Sequence, residues 1–324
     1  MSAGATNAAV ASVSRPVVRP LEEKDLPEAE RILRLAFGKF LGAPDPATFW
    51  NDRDYIYGRF HSPHVAPFAA TLDDRLVGSN FLTKWGSFGF LGPVSVHPDC
   101  HDNGIGRAMM DRAMAQFAGW GTRHAALFTF AQSAKHIALY QKYGFYARYL
   151  TAVMSKPVKP SGAAGWVRFS QLNEPQRHEA LRICRALTDK LFDGLDLSEE
   201  ILAVQAQGVG DTILVEGTGL AAFAICHYGP RSEAGEGCCF IKFGAVREGS
   251  SADRDYIQLL NACEALAGAV GMPTLLAGAN MARHEAYQHL VARGFRTEIQ
   301  GVAMHRDNDP GYCRPGVYVI DDLR

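Results

Sequence analysis

The run His101-Asp102-Asn103-Gly104-Ile105-Gly106 is a polar turn opening onto an amphipathic segment, and turns of this make hold anions. Gly104 and Gly106 carry no side chain, so a ligand can come close to the backbone there. The free N–H groups of the turn and of a following first helical turn point outward, and the helix dipole favours negative charge at that spot. The chemistry on offer is phosphate or pyrophosphate binding. The spacing is G-x-G rather than G-x-G-x-x-G, because position 109 is Met109, and Arg107-Ala108 replaces the Lys-Ser/Thr of a Walker loop. An ordinary tight strand-to-helix turn would use the same glycines, so the glycines alone leave both readings open.

The elements that must position this turn are legible around it. Residues 89–96 suit a buried strand through Leu91, Val94 and Val96, and Pro98 ends it because it has no N–H to donate. Ile105, Met109, Ala113 and Phe117 then recur every four residues, the apolar stripe of a helix. Gly119 and Gly121 stop that helix. Residues 125–130 read as the next strand, and Ser133 caps a helix running to about Tyr143, ended by Gly144.

This arrangement resembles the GNAT acetyltransferase superfamily, whose members follow a strand ending V-x-P with [Q/R]-x-x-G-x-[G/A] and a long helix. Here Val96-His97-Pro98 precedes His101-Asp102-Asn103-Gly104-Ile105-Gly106. The family's second segment, N-x-x-A-x-x-x-Y-x-K-x-G-F, is similar to the run from Ser133 to Phe145, with Tyr140, Lys142, Gly144 and Phe145 in place. His101 stands where Gln or Arg is usual, and Ser133 where Asn is usual.

The resemblance implies an acyltransferase that moves an acetyl group from acetyl-CoA, as cosubstrate, to a primary amine of a small-molecule acceptor by direct attack. It implies that the pantetheine arm lies along Val94, Ser95 and Val96, with the Val96 amide polarising the thioester carbonyl. The pyrophosphate would sit on the amides of Asp102, Asn103, Gly104, Ile105, Gly106 and Arg107, beside His101, with Arg107 adding charge and Ser133 a side-chain contact. Tyr140 would be the general acid on the leaving thiolate, and an unperturbed pKa of about 10 suits a donor at neutral pH. The other reading of Tyr140 is a packing residue beside Ile137 and Tyr143. No base is visible: His97, His61, His64, Asp54 and Asp99 are all open, and ordered water is an alternative. A non-catalytic acyl-CoA-binding or sensor protein of the same fold is the competing function. A tandem acyltransferase of thiol-cofactor biosynthesis is a neighbouring enzymatic option.

Composition bounds the rest. The chain has 324 residues, 47% hydrophobic and 21% charged, with a formal net charge of −1. That is the profile of an ordinary globular protein, with no basic field for nucleic acid or an anionic membrane surface and no apolar run long enough to span a bilayer. The expected place is the cytoplasm, and a homodimer is open. The seven cysteines include no C-x-x-C and read as reduced thiols. Cys100, beside the turn, has no base partner in view and reads as a spectator. His61 and His64 form H-x-x-H without further ligands, so no metal is expected.

The expected fold class is α/β (α+β) with a mixed sheet, in tandem GNAT-like domains. Residues 1–14 read as a flexible leader, 15–155 as the domain with the acetyl-CoA site, 156–165 as a linker and 166–324 as a second, degenerate copy. In the first domain a strand at 17–20 leads to a helix capped by Asp25, broken at 38–46. A second, aromatic-rich helix follows over 48–60, with Phe49, Trp50, Tyr55, Tyr57 and Phe60. The resemblance implies that this region shapes the acceptor pocket; core packing is the alternative. A hairpin turns at Asp73-Asp74, and a strand at 146–155 closes the domain. The second half repeats the element order but has Arg247-Glu248-Gly249-Ser250-Ser251 where the phosphate turn would be, and Leu290 in the place of Tyr140. The strand-like run at 316–320 has no assignable partner.

Overall fold

The structure, a computed structural model, describes residues 15–159, 162–217 and 219–324. The leader expected over 1–14 lies outside the described residues. The first half runs β1 (Val17–Pro20), α1 (Leu26–Leu41), α2 (Tyr57–Phe60), β2 (Val65–Leu72), β3 (Arg75–Trp85), β4 (Phe88–Val96), α3 (Ile105–Gly119), β5 (His124–Phe130), α4 (Ala134–Gln141) and β6 (Phe145–Pro157). The second half runs β7 (Trp166–Arg168), α5 (Glu174–Leu191), α6 (Ser198–Gln207), β8 (Gly210–Gly217), β9 (Gly219–Gly229), β10 (Gly235–Val246), α7 (Ala252–Ala269), β11 (Thr274–Asn280), α8 (His284–Ala292) and β12 (Arg296–Arg306). A short β13 (Val319–Ile320) follows.

Period-two alternation sorts the strand residues between two cores. Ala69 and Phe81 face α1, while Phe68, Ala70 and Leu82 face α3. In the second half Ile213, Ala222 and Ile241 face α7, while Leu214, Phe223 and Phe243 face α5 and α6. The strands form one mixed sheet in the order β1-β2-β3-β4-β5-β12-β6-β11-β10-β9-β8-β7, with β13 on β10.

That order departs from two self-contained domains. The closing strands are exchanged: β12 of the second half pairs antiparallel with β5, β6 of the first half pairs antiparallel with β11, and β6 and β12 pair with each other. The side chains explain the exchange. Ala152 and Met154 of β6 enter the core under α7, and Val302 and Met304 of β12 enter the core under α3.

Other expectations need local correction. α1 runs through Gly38 to Leu41 and ends at Gly42, whose φ of 71° is left-handed. Gly38 is there because a Cβ would lie 2.6 Å from Pro46 Cα. Asp25 does not cap α1 with its side chain; it accepts the Glu22 N–H at 2.9 Å in a capping box one turn earlier and pairs with Arg19 at 2.6 Å. The helix expected over 48–60 is interrupted by the left-handed residues Trp50 and Asn51, leaving the short α2, whose first N–H groups Asp54 accepts. α6 is an element the sequence reading lacked. The linker start is ordered: Lys156 and Pro157 belong to β6, and Lys159 N donates to Glu264.

Candidate functional site

The site begins where two parallel strands part. β4 pairs with β5 only from Phe88–His124 to Leu91–Leu127. Gly92 and Pro93 then oppose the single residue Phe81 on β3, a bulge that turns β4 away, and Pro93 has no N–H to offer β5. From Val94 to Val96 the β4 edge that faces β5 therefore has no strand partner among the described residues. Below the split, Gly104 takes a left-handed φ of 75° at the N-cap of α3, a conformation glycine adopts without strain. Asn103 Nδ2 donates to the carbonyls of Cys100 and His101 and holds the turn in shape.

A cavity of about 690 Å³ fills the split. Of the residues singled out in the sequence, Val94, Val96, His101, Asp102, Gly104, Ile105, Gly106, Arg107 and Tyr140 line it. Ser95, Asn103 and Ser133 do not. Ser95 points to the opposite face, its Oγ 3.1 Å from Ser79 Oγ, and Ser133 Oγ caps α4 by accepting the His136 N–H at 3.4 Å. Asp102 is fully exposed but neutralised by Lys135 at 2.8 Å, which also lowers its pKa. Arg107, Lys135 and Lys142 leave the turn end of the cavity positive. Tyr143 Oη donates to the Arg107 carbonyl and Asp111, tying α4 to α3. Burial pushes the Tyr140 hydroxyl up to about 12, so it keeps its proton across the neutral range.

The other end of the cavity is aromatic and apolar. Phe37, Phe40, Trp50 and Tyr55 join Phe128 and Phe130 there, and the rings pack in a chain: Phe40–Phe130 at 5.0 Å, Phe37–Trp50 at 4.9 Å, Trp50–Tyr55 at 5.0 Å. Ile299, Leu323 and Arg324 reach it from the second half.

Residues 29–145 match the model of the acetyltransferase (GNAT) family. The likeness to this family runs from α1 to the start of β6 in the first half. No curated protein matches the sequence. Solved structures extend the likeness over the whole fold. A candidate acetyltransferase of Pyrococcus horikoshii is 13% identical, with 94% of this chain and 93% of that one covered and a TM-score of 0.64. The GCN5-related N-acetyltransferase of Sphaerobacter thermophilus is 13% identical over 93% and 97%, with a TM-score of 0.57. A GCN5-related glucosamine N-acetyltransferase region of a fungal β-N-acetylglucosaminidase is 13% identical over 90% of this chain and 38% of that one, with a TM-score of 0.62. Identities this low establish the shared fold.

None of the five base candidates lines this cavity. His64 Nε2 bonds buried Glu200 at 2.9 Å, His97 Nδ1 accepts the Asp99 N–H, and His61 Nδ1 meets the Tyr57 carbonyl. Asp54 caps α2 and Asp99 is exposed. The lining histidines are His101 and His136; burial lowers the His136 pKa, so its ring is neutral at pH 7. His136 lies four residues before Tyr140, on the same helix face, a spacing the sequence displayed without marking it. Leu323 and Arg324 gave no sequence signal, because the seating of the tail on β10 brings them in, while Phe37 and Phe40 come from α1, where Phe37 belongs to the apolar face the sequence predicts. Among the described residues no cluster has metal-ligand geometry, and no helix is long and apolar enough to cross a membrane.

The second half has the same split, filled. Opposite β9, Val246, Ala245 and Gly244 of β10 take the register that Val96, Ser95 and Val94 take opposite β3. β13 pairs with Gly244 and Ala245, and the Val246 N–H donates to the Tyr318 carbonyl at 3.2 Å.

Proposed function

We propose that the first half transfers an acetyl group from acetyl-CoA to a primary amine of a small-molecule acceptor. The observation that carries this is the open β4 edge at Val94–Val96, leading straight to the positively charged turn at Gly104 and past the buried hydroxyl of Tyr140.

The residues fit such a cosubstrate. Free backbone groups of Val94 and Val96 match the amide-rich pantetheine arm, and the Val96 N–H is placed to polarise a thioester carbonyl. The N–H groups around Gly104, Ile105 and Gly106, with Arg107, suit a pyrophosphate. Acetyl-CoA supplies an activated acyl carbon. The chain's own part is to hold it beside the acceptor, keep water out with the aromatic wall and supply a proton. Tyr140, protonated throughout the neutral range and with no hydrogen bond to its hydroxyl among the described residues, serves only as a donor, to the departing thiolate sulfur. The amine proton leaves through the cavity, where neutral His136 or water accepts it.

The test is calorimetric titration with acetyl-CoA, followed by an amine screen. The wild-type protein should bind and acetylate. Gly104→Glu, which forces a side chain onto φ 75° and puts a negative charge in the anion site, should weaken binding by about 10-fold or more. Tyr140→Phe should bind normally and lose about 10²-fold in kcat. Normal acetyl-CoA binding by Gly104→Glu would overturn the reading, as would full turnover by Tyr140→Phe.

A further inference from the structure

The filled cleft of the second half is the start of a path that ends in the cavity of the first. Residues 318–320 lie on the β10 edge corresponding to the open one of the first half. Arg283, the N-cap of α8 as Ser133 is of α4, clamps the segment: it is fully buried, 3.2 Å from Asp321 Oδ2, and donates to the Asp321 carbonyl. Asp322 then packs on β11 at Gly278, where a Cβ would lie 2.4 Å from it. The chain emerges with Leu323 and Arg324 in the cavity wall. Arg59 ties this end to the β4 bulge, donating to the Gly92 carbonyl and to a backbone oxygen of Arg324.

Arg324 brings a charge to an otherwise apolar end. The other charged lining residues are Asp102 and Arg107, in the turn and first turn of α3, Lys135 on α4 and Lys142, the C-cap of α4. The Arg324 guanidinium sits 4.2 Å over the Phe240 ring, with Nε 3.1 Å from Asp322 Oδ2. Its Nε and Nη2 are both buried and neither makes a hydrogen bond among the described residues, nor does Asp322 Oδ2. A buried, unsatisfied guanidinium N–H is costly unless a ligand completes it, and the fork geometry of arginine matches a carboxylate. Among the described residues no aspartate or glutamate side chain lines this end.

We propose that Arg324 is a specificity-determining residue that binds a carboxylate on the acceptor, so that the amine acetylated is one of an amino acid. The second half thus acts as the anchor for a segment that completes the acceptor pocket of the first. This rests on the acetyltransferase reading above.

The experiment compares aromatic and aliphatic amino acids with their own amides as acceptors, in the wild type, Arg324→Gln, Arg324→Lys and Asp322→Asn. Binding of phenylacetate, a carboxylate without an amine, is titrated in parallel. The wild type should prefer the acids over the amides in kcat/KM by about 10-fold or more, and phenylacetate should bind saturably. Arg324→Gln should bring the acid-to-amide ratio to about one and weaken phenylacetate about 10-fold, with acetyl-CoA affinity unchanged; Arg324→Lys should fall between. Asp322→Asn, which removes the competing carboxylate, should keep or raise the preference. An unchanged ratio and unchanged phenylacetate binding in Arg324→Gln would overturn the proposal. So would equal losses in Arg324→Gln and Asp322→Asn, the mark of a merely structural ion pair. If no amine is acetylated the transferase reading fails, and the phenylacetate titration still decides whether Arg324 is an anion site.

Discussion

Acidification from about pH 7.5 to about pH 5.5 should remove about 4 kcal/mol of stability through three histidines that the fold buries neutral, His124, His227 and His305. His124 on β5 and His305 on β12 meet where the two halves exchange strands, Nε2 to Nδ1 at 2.9 Å. Burial lowers His124 to about 4 and His305 to about 3, and lowers His227, on β9, to about 4. Above the ordinary histidine pKa of about 6.5, both folded and unfolded chains leave these rings neutral, so they contribute nothing pH-dependent. Below it the unfolded chain takes up protons that the folded one refuses, and stability falls as pH drops towards the folded values. Each ring removes about 1.3 kcal/mol over this interval, giving about 4 kcal/mol for three. Glu200 and Glu233, held low beside Lys242, His64 and Arg59, stay ionised and add no slope in this range. Asp321 and Asp322 are raised by burial and would act with the opposite sign. The assay is urea denaturation at both pH values in the wild type and in His124→Phe. The variant removes one titrating ring: its pH-dependent loss should shrink by about a third, while its stability at neutral pH drops by about 1–3 kcal/mol because His305 Nδ1 loses its partner. A wild type equally stable at both pH values, or a variant with an undiminished slope, would refute the argument.

Two further outcomes follow from the exchanged strands and the seated tail. Gly301 on β12 faces Phe128 of β5, and a Cβ there would lie 2.2 Å from the Phe128 ring; Gly301→Ala should cost about 1–3 kcal/mol and weaken acetyl-CoA binding, because Phe128 lines the cavity. Denaturation and calorimetry check both, and an unaffected acetyl-CoA affinity would separate β12 from the site. Acetyl-CoA should bind at one site per chain, since the Val246 N–H and the β10 edge are already engaged by residues 318–320; a calorimetric stoichiometry of two would show that the segment leaves its groove.

The sequence located the turn, the parting strand and the two helices of the site closely because each rests on local rules. Gly104 is read from the turn, Ile105 to Phe117 from their spacing, and Ser133 from its capping position. The helix expected over 48–60 shows the limit of such rules. Aromatic residues at mixed spacing satisfied a helical pattern, yet Trp50 and Asn51 turn left-handed so that Trp50 and Tyr55 join the cavity wall. The base candidates failed for a related reason. His64 and His97 are chemically suitable, but the first is consumed by Glu200 and the second lies away from the cavity.

What the sequence displayed by itself was most of the order of elements in each half, apart from α6 and the break within 48–60, together with the turn at Gly104 and a Leu290 at the position that Tyr140 holds in the first half. What only the tertiary structure decided was which half each closing strand serves. β6 and β12 have similar strand patterns, and periodicity reports a buried face without naming the core that buries it. The contacts across residues 145–157 and 296–306 settle that choice, since Ala152 and Met154 fit beneath α7 and Val302 and Met304 beneath α3. The tail is the same case: 316–320 read as a strand with no partner, because its partner is a cleft that exists only once β10 and β11 have parted.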